Sequence, residues 1–222
     1  MDCLVFAVSG KYGQFRRPYT TTSALTFSCI HPIAARGLIG AIMGIDRTVL
    51  YQQTKDMQIG IRVCMPVRKA MQSIKLQSPT TCMPIPTTIE FLRDMQYEIF
   101  VVAKPEQLDE LEMRLTLKKP VYTPCLGLSE HVAKVQYIGR YDTQPASTNM
   151  VASIMPKSNL VEFDAQNAAL TIDMIPTMNN DKREYIKYDK VVFAFSDSKP
   201  LELPCKTIDG VYDVNGTNIT FF

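Results

Sequence analysis

Gln96-Tyr97-Glu98-Ile99-Phe100-Val101-Val102-Ala103, followed after one lysine by Pro105-Glu106-Gln107, is the stretch on which the fold turns. The first eight residues, rich in aromatic and β-branched side chains, read as a strand. Proline at a helix start gives up no hydrogen bond, and Glu106 there complements the positive end of the helix dipole. A helix is therefore expected from Pro105, with Leu108, Leu111 and Leu115 as its apolar stripe, and a further strand near Lys134 to Ile138. The same order occurs upstream. Leu4-Val5-Phe6-Ala7-Val8 reads as a short buried strand, Ala35, Leu38, Ile39, Ile42 and Ile45 fit helical spacing after Pro32, and Met57 to Val63 reads as a strand. Strand–helix–strand, twice over, is the ferredoxin-like (RRM-like) α+β arrangement.

Between the two halves, Pro79-Thr80-Thr81-Cys82-Met83-Pro84-Ile85-Pro86 excludes an ordinary helix or central strand, so the segment from about Val67 to Pro86 is expected to project as a hairpin or loop. In the first helix Gly37, Gly40 and Gly44 each cost about 1 kcal/mol relative to alanine. That stripe implies a helix lying very close to a sheet or another backbone. After Gly139 the pattern changes to short strands, at Asn159 to Phe163, Ala169 to Ile172, Tyr185 to Tyr188 and Val191 to Phe195. Asn215-Gly216, between Val211-Tyr212-Asp213-Val214 and Asn218-Ile219-Thr220-Phe221-Phe222, predicts a hairpin with a type I′ turn. A ferredoxin-like domain over 1–140 and a small β-rich C-terminal domain over 141–222 are expected.

Composition narrows the function classes. The chain has 222 residues, 46% of them hydrophobic, and a net charge of +2, which is globular rather than disordered. No stretch approaches the ~18 apolar residues of a membrane span, and Gly40 and Gly44 interrupt the best candidate, Leu38 to Ile45. The start, Met1-Asp2-Cys3-Leu4-Val5-Phe6, lacks a basic leader, so a cytoplasmic protein with no membrane association is expected. Six single cysteines suggest reduced, mostly buried thiols rather than zinc ligands or disulfides. Phosphate loops, dinucleotide fingerprints and nucleophile elbows are absent, and no cofactor or metal is expected.

The small net charge conceals an asymmetry. Residues 1–75 hold ten basic side chains against three acidic ones, a balance of +7, which leaves −5 for the remainder. Clustered cations suit a polyanion, and the acidic remainder suits protein neighbours, although a solvated basic face has the same composition. Within the basic third, Lys11, Tyr12, Phe15, Arg16, Arg17, Tyr19, Thr21, Thr22 and Ser23 interleave cations for phosphates, rings for unstacked bases and hydroxyls for phosphate or ribose oxygens. At least one of the three rings is expected to pack the loop instead. Arg36 follows on the helix, and Arg68, Lys69, Gln72 and Lys75 are expected on the projection.

Only His31 and His131 could do acid–base work near neutral pH. Lys11, Tyr12 and His31 could in principle serve 2′-hydroxyl cleavage of RNA. Tyrosine and lysine, however, titrate near pH 10, and nothing in the sequence announces the burial that would shift them. No catalytic residue is therefore expected, and His31 before Pro32 reads as a structural or capping residue.

Phe15-Arg16-Arg17-Pro18-Tyr19-Thr20-Thr21-Thr22-Ser23-Ala24-Leu25-Thr26-Phe27 and Pro32-Ile33-Ala34-Ala35-Arg36-Gly37-Leu38-Ile39-Gly40-Ala41-Ile42-Met43-Gly44 resemble the N-terminal signature of the fifth family of CRISPR-associated (Cas) proteins, in the RAMP superfamily. Pro86-Thr87-Thr88-Ile89-Glu90-Phe91-Leu92 and Pro124-Cys125-Leu126-Gly127-Leu128-Ser129-Glu130 are similar to two later blocks. The chain departs at Ser28-Cys29-Ile30-His31, where relatives carry a more Pro- and aromatic-rich run. The resemblance implies a ferredoxin-like domain with a thumb at about 67–86. It also implies a non-catalytic subunit of the type I surveillance complex Cascade, most like type I-B. Such a subunit caps the 5′ handle of the CRISPR RNA (crRNA), contacts the backbone and large subunits, and meets target DNA through the complex. Two alternatives stay open: a type I-C-like metal-independent endonuclease that processes precursor crRNA, and a free single-stranded RNA-binding module.

Overall fold

A computed structural model describes residues 1–20, 23–78, 80–161 and 168–222. The first strand, β1 (Asp2–Gly13), alternates Leu4, Phe6 and Val8 toward the helices with Cys3 and Val5 toward a second small core. After β2 (Ser23–Ala24) come α1 (Pro32–Met43), α2 (Leu50–Thr54), β3 (Gln58–Val63), β4 (Lys69–Gln77), β5 (Pro84–Val102), α3 (Pro105–Thr116) and β6 (Lys134–Pro145). The remaining strands are β7 (Met150–Val151), β8 (Met155–Pro156), β9 (Ala168–Asn179), β10 (Tyr185–Ser196), β11 (Lys199–Leu201), β12 (Leu203–Pro204), β13 (Val211–Val214) and β14 (Thr217–Thr220). The chain is thus a sheet-dominated α+β protein with few helices.

The main sheet runs β14-β13-β6-β1-β5, with β3 and β4 sharing the other edge of β5. Its long antiparallel neighbours bury both faces. Helices α1 and α3 cover one face through Ala35, Leu38, Ile39 and Ile42 and through Leu108, Leu111 and Leu115. The other face closes on the C-terminal hairpin. Phe222 exchanges two backbone hydrogen bonds with Ile59 of β3, 3.0 and 3.1 Å, which ties the chain end to the far side of the sheet. Val214 and Ile219 are thereby sealed against Val5, Phe100 and Val102. Asn215 and Gly216 have φ of 51° and 79°, as a type I′ turn requires.

A second sheet, β11-β10-β8 with β9 on β10, packs Ile175, Val191, Phe193 and Phe195 into the same core as β1 and α1. The boundary expected at 140/141 falls inside β6, because that strand continues to Pro145 and pairs with both β1 and β13. Tyr185 to Phe195, expected as two strands, forms one continuous β10 that pairs along the length of β9. The strand expected at Asn159 to Phe163 is not formed where the structure describes it. Lys157–Asn159 is a single 3₁₀ turn, Leu160 makes one isolated bridge to Cys205, and Phe163 lies outside the described residues.

The strand expected at Gln96 to Ala103 starts far earlier, at Pro84. Its first half pairs with β4 in a largely exposed hairpin, where Pro84 and Pro86 sit at the projecting end. The glycine stripe on α1 has no shared close approach. Gly37 faces open space, Gly40 lies against the Leu50 side chain of α2, and Gly44, at φ 79°, is the left-handed C-cap of the helix. All six cysteines are free thiols; Cys82 is exposed, and only Cys3, Cys29 and Cys205 are fully buried.

Candidate nucleic-acid interface

The segment joining β1 to α1 folds back on itself. The N–H of Phe27 donates to the carbonyl of Phe15 at 2.9 Å, that of Arg17 donates to Leu25 at 2.9 Å, and Gln14 Nε2 donates to Ala24 at 2.9 Å. Phe15 and Phe27, at 4% and 0% exposed, anchor this narrow loop in the core, so Phe15 offers no ring to a base. A second loop docks beneath it. Gln14 donates to the carbonyl of Leu126, and Gly127, at φ 91°, lets the backbone pass so close to the Gln14 carbonyl that a Cβ would collide.

Between these loops, the start of α1 and the β4–β5 hairpin lies a groove of about 590 Å³. One wall is apolar, with Ile74 and Leu76 of β4 beside Thr87 and Ile89 of β5, and Leu128 closes it. Arg16 and Glu130 are its charged members, and His31 and Tyr185 stand at the far end. Apolar walls with a few polar groups suit flat, weakly solvated rings better than a run of phosphates.

Several residues predicted from sequence are already engaged elsewhere. Arg17 donates through Nη2 to both carboxylate oxygens of Asp173, 2.8 and 2.9 Å, and through Nε to the Thr26 carbonyl. Its guanidinium also lies over the Phe27 ring. Lys69 donates to the Thr26 carbonyl and to Glu90, both at 3.1 Å. These two cations brace the loop, because a buried carboxylate on a distant strand needs a partner. Arg36 lies on the far side of α1 and donates to the carbonyl of Met57 at 2.8 Å.

Others remain available. Arg16, Arg68 and Lys75 are exposed and form no ion pair among the described residues. Tyr19 is 59% exposed. Tyr12 is half-buried edge-on to Phe91, with Lys11 Nζ and the Arg93 guanidinium each 6.0 Å from its ring centre. Ser23 is half-buried in β2, and Thr21 and Thr22 lie outside the described residues. On the hairpin, cross-strand pairing places Gln72 with Ile74 and Leu76 on one face and Lys69 and Lys75 on the other, so the cluster expected there is divided.

His31 caps α1, with its Nδ1 accepting the Ala34 N–H at 3.2 Å. Three rings, Phe15, Phe27 and Tyr185, lie edge-on to it at 5.5 to 6.1 Å, and burial pushes its pKa down to about 3. Such an imidazole is neutral at physiological pH and cannot deliver a proton there. His131 packs edge-on against Phe91, and its pKa is likewise lowered, chiefly by burial. Lys11, Tyr12 and His31 therefore do not form one acid–base group, since the imidazole nearest Tyr12 is His131.

Tyr185, Arg183 and Leu128, which shape the groove and its continuation, escaped the sequence reading because they lie over 100 residues from the loop they meet. The turn-forming run Asn179-Asn180-Asp181 was the one local signal that a hairpin tip, and hence Arg183, lay there.

Residues 3–195 match the family model described as CRISPR-associated protein (Cas_Cas5). Among solved structures, the fold is similar to a chain of a CRISPR RNA-guided surveillance complex, with 16% identity, TM-score 0.57 and 91% of each chain covered. It is also similar to a CRISPR protein from Archaeoglobus fulgidus, with 14% identity, TM-score 0.58 and 99% and 98% of the two chains covered. No curated protein matches by sequence. Among the described residues, no helix is long and apolar enough to cross a membrane.

Proposed function

The chain belongs to the CRISPR-associated Cas5 family, and from that premise we propose that it is a non-catalytic subunit of a Cascade-type surveillance complex, holding the 5′ handle of the crRNA in the groove beside the β4–β5 hairpin. The groove carries the reading. It joins apolar walls for splayed bases to the free cation Arg16 at its rim, and the exposed Tyr19 ring belongs to the same loop. In this reading the order β6-β1-β5-β3 is the ferredoxin-like sheet, β4 with the first half of β5 is the thumb, and β6 leads into the β-rich C-terminal part. Arg68, where the hairpin leaves the main sheet, and Lys75, further along it, meet the guide backbone in this reading, at the junction with the neighbouring backbone subunit. The large subunit and target DNA are met through the assembled complex.

Two observations support a non-catalytic role. His31 is held neutral as a helix cap, and Tyr12 is packed between Phe91 and His131. The test purifies the chain with its complex, sequences the bound RNA, and incubates the isolated chain with labelled repeat RNA in EDTA. Guide RNA with a uniform 5′ handle, reduced by Arg16→Ala combined with Tyr19→Ala, is expected, with intact precursor. Discrete cleavage at one repeat position, lost in His131→Ala or Tyr12→Phe, would replace this reading with the processing endonuclease. Moderate binding of any single strand without co-purifying partners would replace it with a free RNA-binding module.

A further inference from the structure

Three hollows meet at Tyr185. The groove ends against it, and an open dish between Arg16, Pro18, Arg183 and Tyr188 runs past it. The third is a pocket of about 230 Å³ between the start of α1, α2 and the β9–β10 turn, which shares His31, Ala34 and Tyr185 with the groove and Arg183 with the dish. These surfaces form one continuous track from the hairpin, around Tyr185, into the pocket.

The pocket combines two kinds of wall. Tyr51 and Tyr185 are half-buried rings flanked by Ile33 and Leu50, while Arg47, Lys55 and Arg183 are exposed cations. Asp181 is the one carboxylate among its lining residues. Deeper in, Arg36 spends Nη2 on the Met57 carbonyl, and its buried Nε has no acceptor among the described residues. A desolvated guanidinium N–H without a partner is a standing demand for an acceptor. Beyond Arg36 a recess carries Asp56 and Asp189, the latter already bonded by Thr177 and Lys187. The excess of cations therefore sits on the pocket side.

We propose that this pocket receives one further nucleotide of the strand that occupies the groove, its base between Tyr51 and Tyr185 and its phosphate on Arg47 and Arg183. Aromatic walls with a cationic rim are the chemistry of a nucleotide. An acyl chain would leave the four cations unused, and an acidic peptide would leave the rings unused. The inference rests on the groove reading above, so its test carries a control for each.

Single-stranded RNAs of about four and about ten nucleotides, labelled at the 3′ end with fluorescein, lie at the lower end and in the middle of the site sizes of single-strand-binding folds. Their affinity for the full chain is read by anisotropy. Arg47 and Arg183 are exposed and make no ion pair among the described residues, so Arg47→Ala/Arg183→Ala keeps the fold. The double variant is expected to weaken the longer RNA about tenfold or more, because charge-assisted contacts are lost, and to leave the shorter within about twofold. Arg16→Ala is expected to weaken both. An unchanged longer RNA in the double variant, or equal weakening of both lengths, overturns the pocket. An ineffective Arg16→Ala counts against the groove alone. Quenching of tyrosine fluorescence by adenosine 5′-monophosphate in the wild type but not in the double variant assigns the pocket to a free nucleotide and overturns the proposal.

Discussion

In the Arg17→Ala variant, Asp173, which is 5% exposed in β9 of the wild type, loses its two guanidinium hydrogen bonds and keeps those from the Ser28 and Met174 N–H groups. At 2.8 Å the gross attraction in the pair is roughly 6 kcal/mol at an effective dielectric of about 20. Most of it offsets desolvation, and removing one member of a buried pair costs about 3–5 kcal/mol. Arg17 is 23% exposed and the carboxylate keeps two backbone donors, so the cost falls below that range, at about 2–3 kcal/mol. For a chain of this size that is a fall in Tm of about 4–12 °C. Asp173→Ala costs more, about 3–4 kcal/mol, because it strands a guanidinium and the Ser28 N–H. Urea unfolding of both single variants and of Arg17→Ala/Asp173→Ala closes a double-mutant cycle, and the double is expected to be less damaging than the sum of the singles by at least about 1.5 kcal/mol. If Arg17→Ala unfolds within about 0.5 kcal/mol of the wild type while its RNA affinity drops, the guanidinium belongs to RNA and the bracing role is wrong.

Burial holds the His31 pKa at about 3 in the folded chain against about 6.5 unfolded, so between these values the unfolded state binds more protons and stability falls as pH falls. By pH 4.5 His31 should account for about 2–3 kcal/mol of acid destabilisation, read as the difference between wild-type and His31→Gln unfolding curves from pH 7 to 4.5. Tyr19→Ala should leave stability within about 0.5 kcal/mol and weaken RNA binding by about 1–3 kcal/mol in a titration; unchanged affinity removes Tyr19 from the interface. Arg68→Ala/Lys75→Ala should flatten the slope of log affinity against log salt by about 1.4, whereas Lys69→Ala, already bonded to Glu90 and Thr26, should barely alter it and should lower Tm instead. Gly127→Ala should destabilise by about 1 kcal/mol or more, since its φ of 91° and the Gln14 carbonyl both resist a Cβ; a neutral outcome in thermal unfolding would show that the loop can shift.

What the sequence alone determined was local and periodic. The apolar stripes of α1 and α3, the cap at His31, the helix start at Pro105, the Asn215-Gly216 turn and the proline-bounded projection all follow from neighbours within a few residues, where backbone chemistry acts directly. The aromatic-basic loop was legible for the same reason, as a density of side-chain types. What each of those side chains does was decided by contacts across the chain. Arg16 and Arg17 are chemically identical neighbours, yet Asp173, 156 residues from Arg17, engages one and leaves the other exposed. Pairing register, a property of two strands together, divided Gln72 from Lys69 and Lys75. The long β5 and the return of Phe222 to Ile59 likewise depend on partners that no local pattern specifies. The pocket at Tyr185 is the extreme case, since α1, α2 and the β9–β10 turn each carry part of it and only burial of their common core brings the parts together.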